Sequence, residues 1–314
     1  MSVRVAVDIG GTFTDATLID EESGAVSIAK VLTTPADPSE GFMQAVDRAL
    51  ADGNVKAAQV GFVVHATTVA TNAIIEGKIA RGGFVTTEGF RDLLEIARQV
   101  RPSLYDTQFE KAKPLVPRDR AVTVAERLGP AGEVLRLLEE DSVRAAAEIL
   151  RREEVETVAV CLLHAYVNPK HELRVGAILA EELPGVPVSL SAEVAPEFRE
   201  YLRASTTVIN AVIRPVVERY LQRIESRLAD AGVRAKLLVM QSSGGVFSSE
   251  AARTRPVFMV ESGPAAGVIA SAHLGETLGR PDILSFDMGG TTAKVGLIQG
   301  GQPSVTVGSS PPRR

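Results

Sequence analysis

Val7-Asp8-Ile9-Gly10-Gly11-Thr12 closes an alternating apolar strand at the start of the chain and recurs near its end as Phe286-Asp287-Met288-Gly289-Gly290-Thr291. Each copy runs on into a second strand, ending Leu18-Ile19 and Leu297-Ile298. The pattern is a strand that delivers a carboxylate, two glycines that permit positive φ and close backbone approach, and then hydroxyls. Backbone N–H groups in such a turn can cradle a phosphate chain, while the carboxylate faces a hydrated divalent cation. Repetition far apart in one chain implies duplicated halves that face a shared ligand.

Outward from the first copy, residues 4–7 and 16–19 pair as a hairpin and residues 25–32 add a third strand. Asp37-Pro38-Ser39 then caps a helix with Phe42, Val46, Ala49 and Leu50 on one face, stopped by Gly53. Three antiparallel strands and a helix are the opening of a ribonuclease-H-like unit. Strand and helix alternate afterwards, with strands over 59–64, 80–85, 155–163 and 236–240. Helices are expected over 87–97 and 141–153, after the cap Asn168-Pro169, and as one long element over 205–231, kinked at Pro215. Ser262-Gly263-Pro264 opens a helix of small residues, read as a close-packed hinge in preference to an anion site. Between 101 and 134, prolines and mixed charge predict a long surface excursion. The fold class is α/β.

At 314 residues and 45% hydrophobic content, the chain suffices for two domains with a packed core. A formal net charge of −5 without a basic stripe argues against nucleic acid as a partner. Cys161, the one cysteine, lies in an apolar run and reads as core; no internal disulfide can form, so a reducing cytoplasm is the expected location. No apolar run approaches the roughly 18 residues of a membrane helix, and with the first strand beginning at once no signal peptide is expected. The Walker phosphate loop, the dinucleotide fingerprint, the nucleophile elbow and the His-Glu-x-x-His zinc motif are all absent, which disfavours a metal- or serine-dependent amidohydrolase. Little chain follows the second turn, although a duplicated fold cannot close on one hairpin. The expectation is therefore an N-terminal fragment: residues 1–275 as a first lobe containing the 101–134 excursion, and 276–314 as the start of a truncated second lobe.

Asp-x-Gly-Gly-Thr at both ends resembles the actin, heat-shock ATPase and sugar kinase superfamily, whose halves clamp ATP. Further blocks narrow the resemblance: His65-Ala66-Thr67-Thr68-Val69-Ala70-Thr71-Asn72-Ala73, Thr86-Thr87-Glu88-Gly89-Phe90-Arg91-Asp92, Glu193-Val194-Ala195-Pro196-Glu197-Phe198-Arg199-Glu200 and Ser262-Gly263-Pro264-Ala265-Ala266-Gly267. With them, nearly the whole chain closely resembles the hydantoinase A / 5-oxoprolinase family, which includes acetone carboxylase type subunits. The resemblance implies an actin-type ATPase lobe that uses ATP and Mg²⁺, usually beside a B-type subunit, to open a cyclic amide of the hydantoin or 5-oxoproline kind. The ATP-using subunit of a ketone carboxylase and a non-catalytic ATP-binding module are the alternatives.

Within that reading, Asp8 and Asp287 face the hydrated Mg²⁺. Gly10, Gly11, Thr12, Gly289, Gly290, Thr291 and Thr292 hold the phosphates by backbone N–H and hydroxyl groups. Thr14 and Asp15 contact or order water near the γ-phosphate, and Asp15 is the better candidate base. By resemblance His65 lines the cleft and joins Asp8 and Asp15 as a catalytic candidate; its other reading is a satisfied histidine at a strand end. Lys294 stands where the first copy has Asp15. It is either a point charge beside the phosphates or a solvated residue of the hairpin.

Overall fold

The computed structural model describes residues 3–100, 105, 108, 110–288 and 293–304. Packing divides the chain into two units, one formed by Met1–Asn72, Arg219–Arg253 and Phe258–Arg314 and the other by Ala73–Glu218 and Thr254–Val257.

In the first unit, β1 (Val3–Ile9) alternates strictly, burying Val3, Val5, Val7 and Ile9 and turning Arg4, Ala6 and Asp8 to the open face. That period of two puts Asp8 where a ligand can reach it. β1 pairs antiparallel with β2 (Phe13–Asp20), and β2 with β3 (Val26–Leu32). The helix α1 (Pro38–Asp52) starts as expected, since Asp37 Oδ1 accepts a hydrogen bond from the Ser39 N–H at 3.1 Å. It buries Phe42, Ala45, Val46 and Ala49. β4 (Val60–Thr67) then runs parallel to β1, and the short helix α2 (Val69–Ile75) follows.

The second unit is built on a four-stranded parallel sheet. Its strands are β5 (Gly82–Thr87) and, after the single turn α3 (Leu93–Ile96), β6 (Ala121–Val124). A two-stranded ribbon of β7 (Arg127–Leu128) and β8 (Val134–Arg136) leads to α4 (Glu140–Arg152) and β9 (Thr157–Cys161). The helix α5 (Lys170–Glu182), the edge strand β10 (Val188–Leu190) and the turn α6 (Ser191–Val194) complete it, with sheet order β10-β9-β5-β6. Val85, Val122, Val124 and Val160 from the sheet meet Val143, Leu150, Ile178 and Leu179 from α4 and α5 in one core. Two expectations change here. The helix expected over 87–97 shrinks to α3, because Thr87 belongs to β5. The excursion expected over 101–134 contains β6, whose four apolar or β-branched residues are too short a run to stand out among prolines and charges, yet lie in the sheet.

The long helix α7 (Glu200–Asp230) is continuous through Pro215. Back in the first unit, β11 (Lys236–Met240) lies parallel to β4, and β12 (Val246–Ser248) pairs antiparallel with β11. The resulting order β12-β11-β4-β1-β2-β3 contains the 3-2-1-4-5 arrangement of a ribonuclease-H-like sheet. The fold is thus α/β, with a mixed sheet flanked by helices. After α8 (Ser249–Thr254), α9 (Ser262–Thr277) packs on the antiparallel sheet of β13 (Ile283–Met288), β14 (Ala293–Gln299) and β15 (Gln302–Pro303). Gly296 makes this approach possible, because a Cβ there would come within 2.4 Å of the Val268 side chain.

Candidate functional site

Strand register assembles the site. Asp8 on β1 stands opposite Asp15 on β2, and Asp15 stands opposite Lys30 on β3. Lys30 Nζ lies 2.5 Å from Asp15 Oδ1. In the second hairpin Asp287 pairs with Lys294, the same register as Asp8 with Asp15. Lys294 Nζ is 2.6 Å from Glu261 Oε2, just before α9. The two hairpins are close enough to act on one carboxyl. Burial first, then the charges of Asp15 and Asp287, push the Asp8 carboxyl up to about 6, while Lys294 and Lys30 pull the other way. The first turn of α9 also reaches Asp8: a Cβ on Gly263 would sit 3.1 Å from Asp8 Oδ1, so glycine is what lets the helix come this near. A small cleft of about 110 Å³ beside this turn is lined by Asp287, Lys294, Ser285 and Pro264 among others.

The first glycine turn closes with the Gly10 N–H donating to Phe13 O at 3.0 Å. Neither Gly10 nor Gly11 takes positive φ, contrary to the expected reason for the glycines. At Gly10 space is the reason instead, whereas at Gly11 the chain itself leaves room for a side chain. A Cβ on Gly10 would meet Phe13 O at 3.2 Å, and no atom lies within 4 Å of the Cβ position of exposed Gly11. Thr12 is exposed beside it. Thr14, expected near the γ-phosphate, is fully buried and its hydroxyl bonds Thr33 Oγ1 at 3.1 Å. Thr33 in turn donates to Gly10 O at 2.9 Å, so Thr14 braces the turn from the core face. Gly289, Gly290, Thr291 and Thr292 lie outside the described residues.

His65 does not line a cleft. It is fully buried, with Nδ1 3.1 Å from Val7 O and Nε2 2.7 Å from the Tyr220 hydroxyl. Nδ1–H donating to the carbonyl and Nε2 accepting from the phenol satisfies both nitrogens in one neutral tautomer. Burial lowers its pKa to about 4, against the opposing hydrogen bond to Val7. This is the strand-end alternative of the sequence reading. The sequence singles out Gly263 for close packing but not for its approach to Asp8, and it does not mark Lys30, Glu261 or Tyr220 as partners. Lys30 was within reach of the hairpin register, whereas the other three meet the site only through tertiary packing.

The donor set is compatible with a hard cation. Asp15 and Asp287 both repel the Asp8 carboxylate, which an oxygen-ligated divalent ion would relieve, and Mg²⁺ keeps most of its ligands as water. Among the described residues no group of three or more His, Cys, Asp or Glu side chains forms a ready-made metal cage. No helix among them is long and apolar enough to cross a membrane.

Residues 4–183 match the hydantoinase/oxoprolinase N-terminal region and residues 203–310 the hydantoinase/oxoprolinase domain. An uncharacterized protein of Methanocaldococcus jannaschii is 41% identical over 98% of this chain and 45% of its own length. The caprolactamase alpha subunit of Pseudomonas jessenii is 34% identical over 95% of this chain and 44% of its own. Among solved structures, nucleotide-free acetone carboxylase superposes with TM-score 0.86 at 30% identity, covering 95% of this chain and 44% of that one. The ATP-dependent caprolactamase of Pseudomonas jessenii gives 0.85 at 33% identity, covering 94% and 43%. The chain therefore spans less than half the length of these relatives.

Proposed function

Because the chain belongs to the hydantoinase/oxoprolinase family, we propose that it is the ATP-using part of an enzyme that activates the carbonyl of a cyclic amide by phosphorylation. The observation that carries this reading is the convergence of Asp15, Asp287, Lys30 and Lys294 on Asp8, from two hairpins that share one sequence pattern. Family relatives named caprolactamase and 5-oxoprolinase support the substrate class.

A lactam carbonyl is a poor electrophile because its nitrogen donates into it, and phosphorylating the oxygen removes that protection. Net, one phosphoanhydride and one amide C–N bond are hydrolysed. Phosphoryl transfer asks the protein for alignment and for donors around the equatorial oxygens. Gly10, Gly11 and Thr12, with Gly289, Gly290, Thr291 and Thr292, hold the β- and γ-phosphates, and Lys294 supplies a positive charge beside them. Asp8 and Asp287 hold the hydrated Mg²⁺, which neutralises the phosphate oxygens when bound. Asp15, fixed by Lys30, orders water at the γ-phosphate, while Thr14 and His65 support the turn and β4 from within. Residues 1–275 form the first lobe and 276–314 open a second. A B-type subunit completes the cytoplasmic enzyme.

The test is lactam-dependent ADP release by the chain assembled with its companion subunit. Ring opening should require both ATP and Mg²⁺, and ring opening that proceeds undiminished without nucleotide would refute the mechanism. Ketone carboxylation is the second reading, favoured by the superposition on acetone carboxylase. ADP or AMP formation that depends on acetone and bicarbonate, with none on lactams, would select it.

A further inference from the structure

The second unit carries a cleft of about 550 Å³ beside its edge strand β10, composed of residues of that unit alone. This size can seat a small molecule, although the cleft is open to solvent on one side. Val188 and Leu190 of β10 and Val194 of α6 supply an apolar wall, and Arg214, Arg255, Glu193 and Ser189 supply the polar groups. Arg214 on α7 uses Nη1 to donate to Val188 O at 2.9 Å, covering a carbonyl on the sheet edge. Its Nε–H is shut away from water and has no acceptor. Arg255 is exposed, and among the described residues neither arginine has a carboxylate partner. Buried Ser189 accepts from Asn210 Nδ2 at 3.1 Å, which leaves its own hydroxyl proton to donate.

The Nε–H, closed to water, is equally closed to a ligand, so what the cleft presents is the remaining donors of the two arginines. Guanidinium groups present planar forks of donors that match a carboxylate in pairs. Glu193 sets the charge limit: with two arginines against one carboxylate the cleft carries a single net positive charge, which suits a monoanion and penalises a dianion. We propose that this cleft binds a small organic monocarboxylate with an aliphatic body, its carboxylate on Arg214 and Arg255 and its chain on Val188, Leu190 and Val194. Nothing in this site draws on the nucleotide residues, so its test is independent of ATP.

The experiment is calorimetric titration of the 314-residue chain with hexanoate, alongside inorganic phosphate and the Arg255→Gln and Arg214→Lys variants. Saturable hexanoate binding is expected, weakened about tenfold in each variant by loss of a charge-assisted bond, with phosphate binding more weakly than hexanoate. Arg255 is exposed and its side chain has no hydrogen bond or ion pair among the described residues, so Arg255→Gln should melt like the parent and keeps the test meaningful if Arg214→Lys folds poorly. Absence of saturable binding, equal affinity in the parent and Arg255→Gln, or tighter binding of phosphate would each overturn the proposal.

Discussion

Asp8 and His65 lie one residue apart in the β1–β4 register, Val7 being the partner of His65, yet their surroundings differ completely. Asp8 faces outward among charges, so its replacement should remove function and spare the fold. Asp8→Ala is expected to abolish ATP-dependent turnover in the assembled enzyme while keeping a cooperative thermal transition at or above the parental temperature, since it deletes a carboxylate repelled by Asp15 and Asp287. Retained turnover would count against Asp8 as the cation-facing group. His65 faces inward, and its Nε2 accepts from the Tyr220 hydroxyl at 2.7 Å. Tyr220→Phe should leave Nε2 buried and unpaired, costing about 1–3 kcal/mol in denaturant unfolding. An unchanged midpoint would show that the bond contributes little.

At the scale of elements, glycines at contact points set how closely layers pack. Gly83 on β5 lies under α4, and a Cβ there would fall 2.7 Å from Leu150 Cδ2, with both residues buried. Gly83→Ala should therefore destabilise by about 1–3 kcal/mol through overpacking. Combining it with Leu150→Val should recover part of that loss, a coupling that independent sites would not show. The start of α1 depends on Asp37, which accepts from the Ser39 N–H at 3.1 Å and hydroxyl at 2.6 Å and pairs with Arg227 at 2.9 Å. Those bonds, led by the hydrogen bonds from Ser39, hold the Asp37 carboxyl below its usual value against partial burial. Asp37→Ala should cost about 1–2 kcal/mol, the range of a lost helix cap, read from the shift in urea midpoint at constant slope.

Across the whole molecule, the clearest pH dependence comes from Glu172, wholly buried in the second unit. It accepts from the Leu162 N–H at 2.9 Å, the Ser191 hydroxyl at 2.7 Å and the Ala192 N–H at 2.7 Å, with Arg203 and Cys161 nearby. Burial outweighs these bonds and raises its carboxyl from 4.5 to about 7. The folded state then holds a proton that the unfolded state has released, so Glu172 makes stability fall as pH rises from about 4.5 to about 7. Unfolding measured across that window should show a decline that Glu172→Gln flattens; an identical slope in both proteins would exclude Glu172 as its source. The alternation of strands and helices, the Asp37 cap, the two Asp-Gly-Gly hairpins and the family resemblance were all legible in the chain. Each is written in residues close together, through side-chain period, turn composition and capping chemistry. Tertiary structure alone decided that Thr14 and His65 face the core, that β6 joins a sheet, that Glu261 holds Lys294, and that Gly263 brings α9 against Asp8. These outcomes depend on which distant segments meet and on which face each strand buries, and no local pattern carries that information.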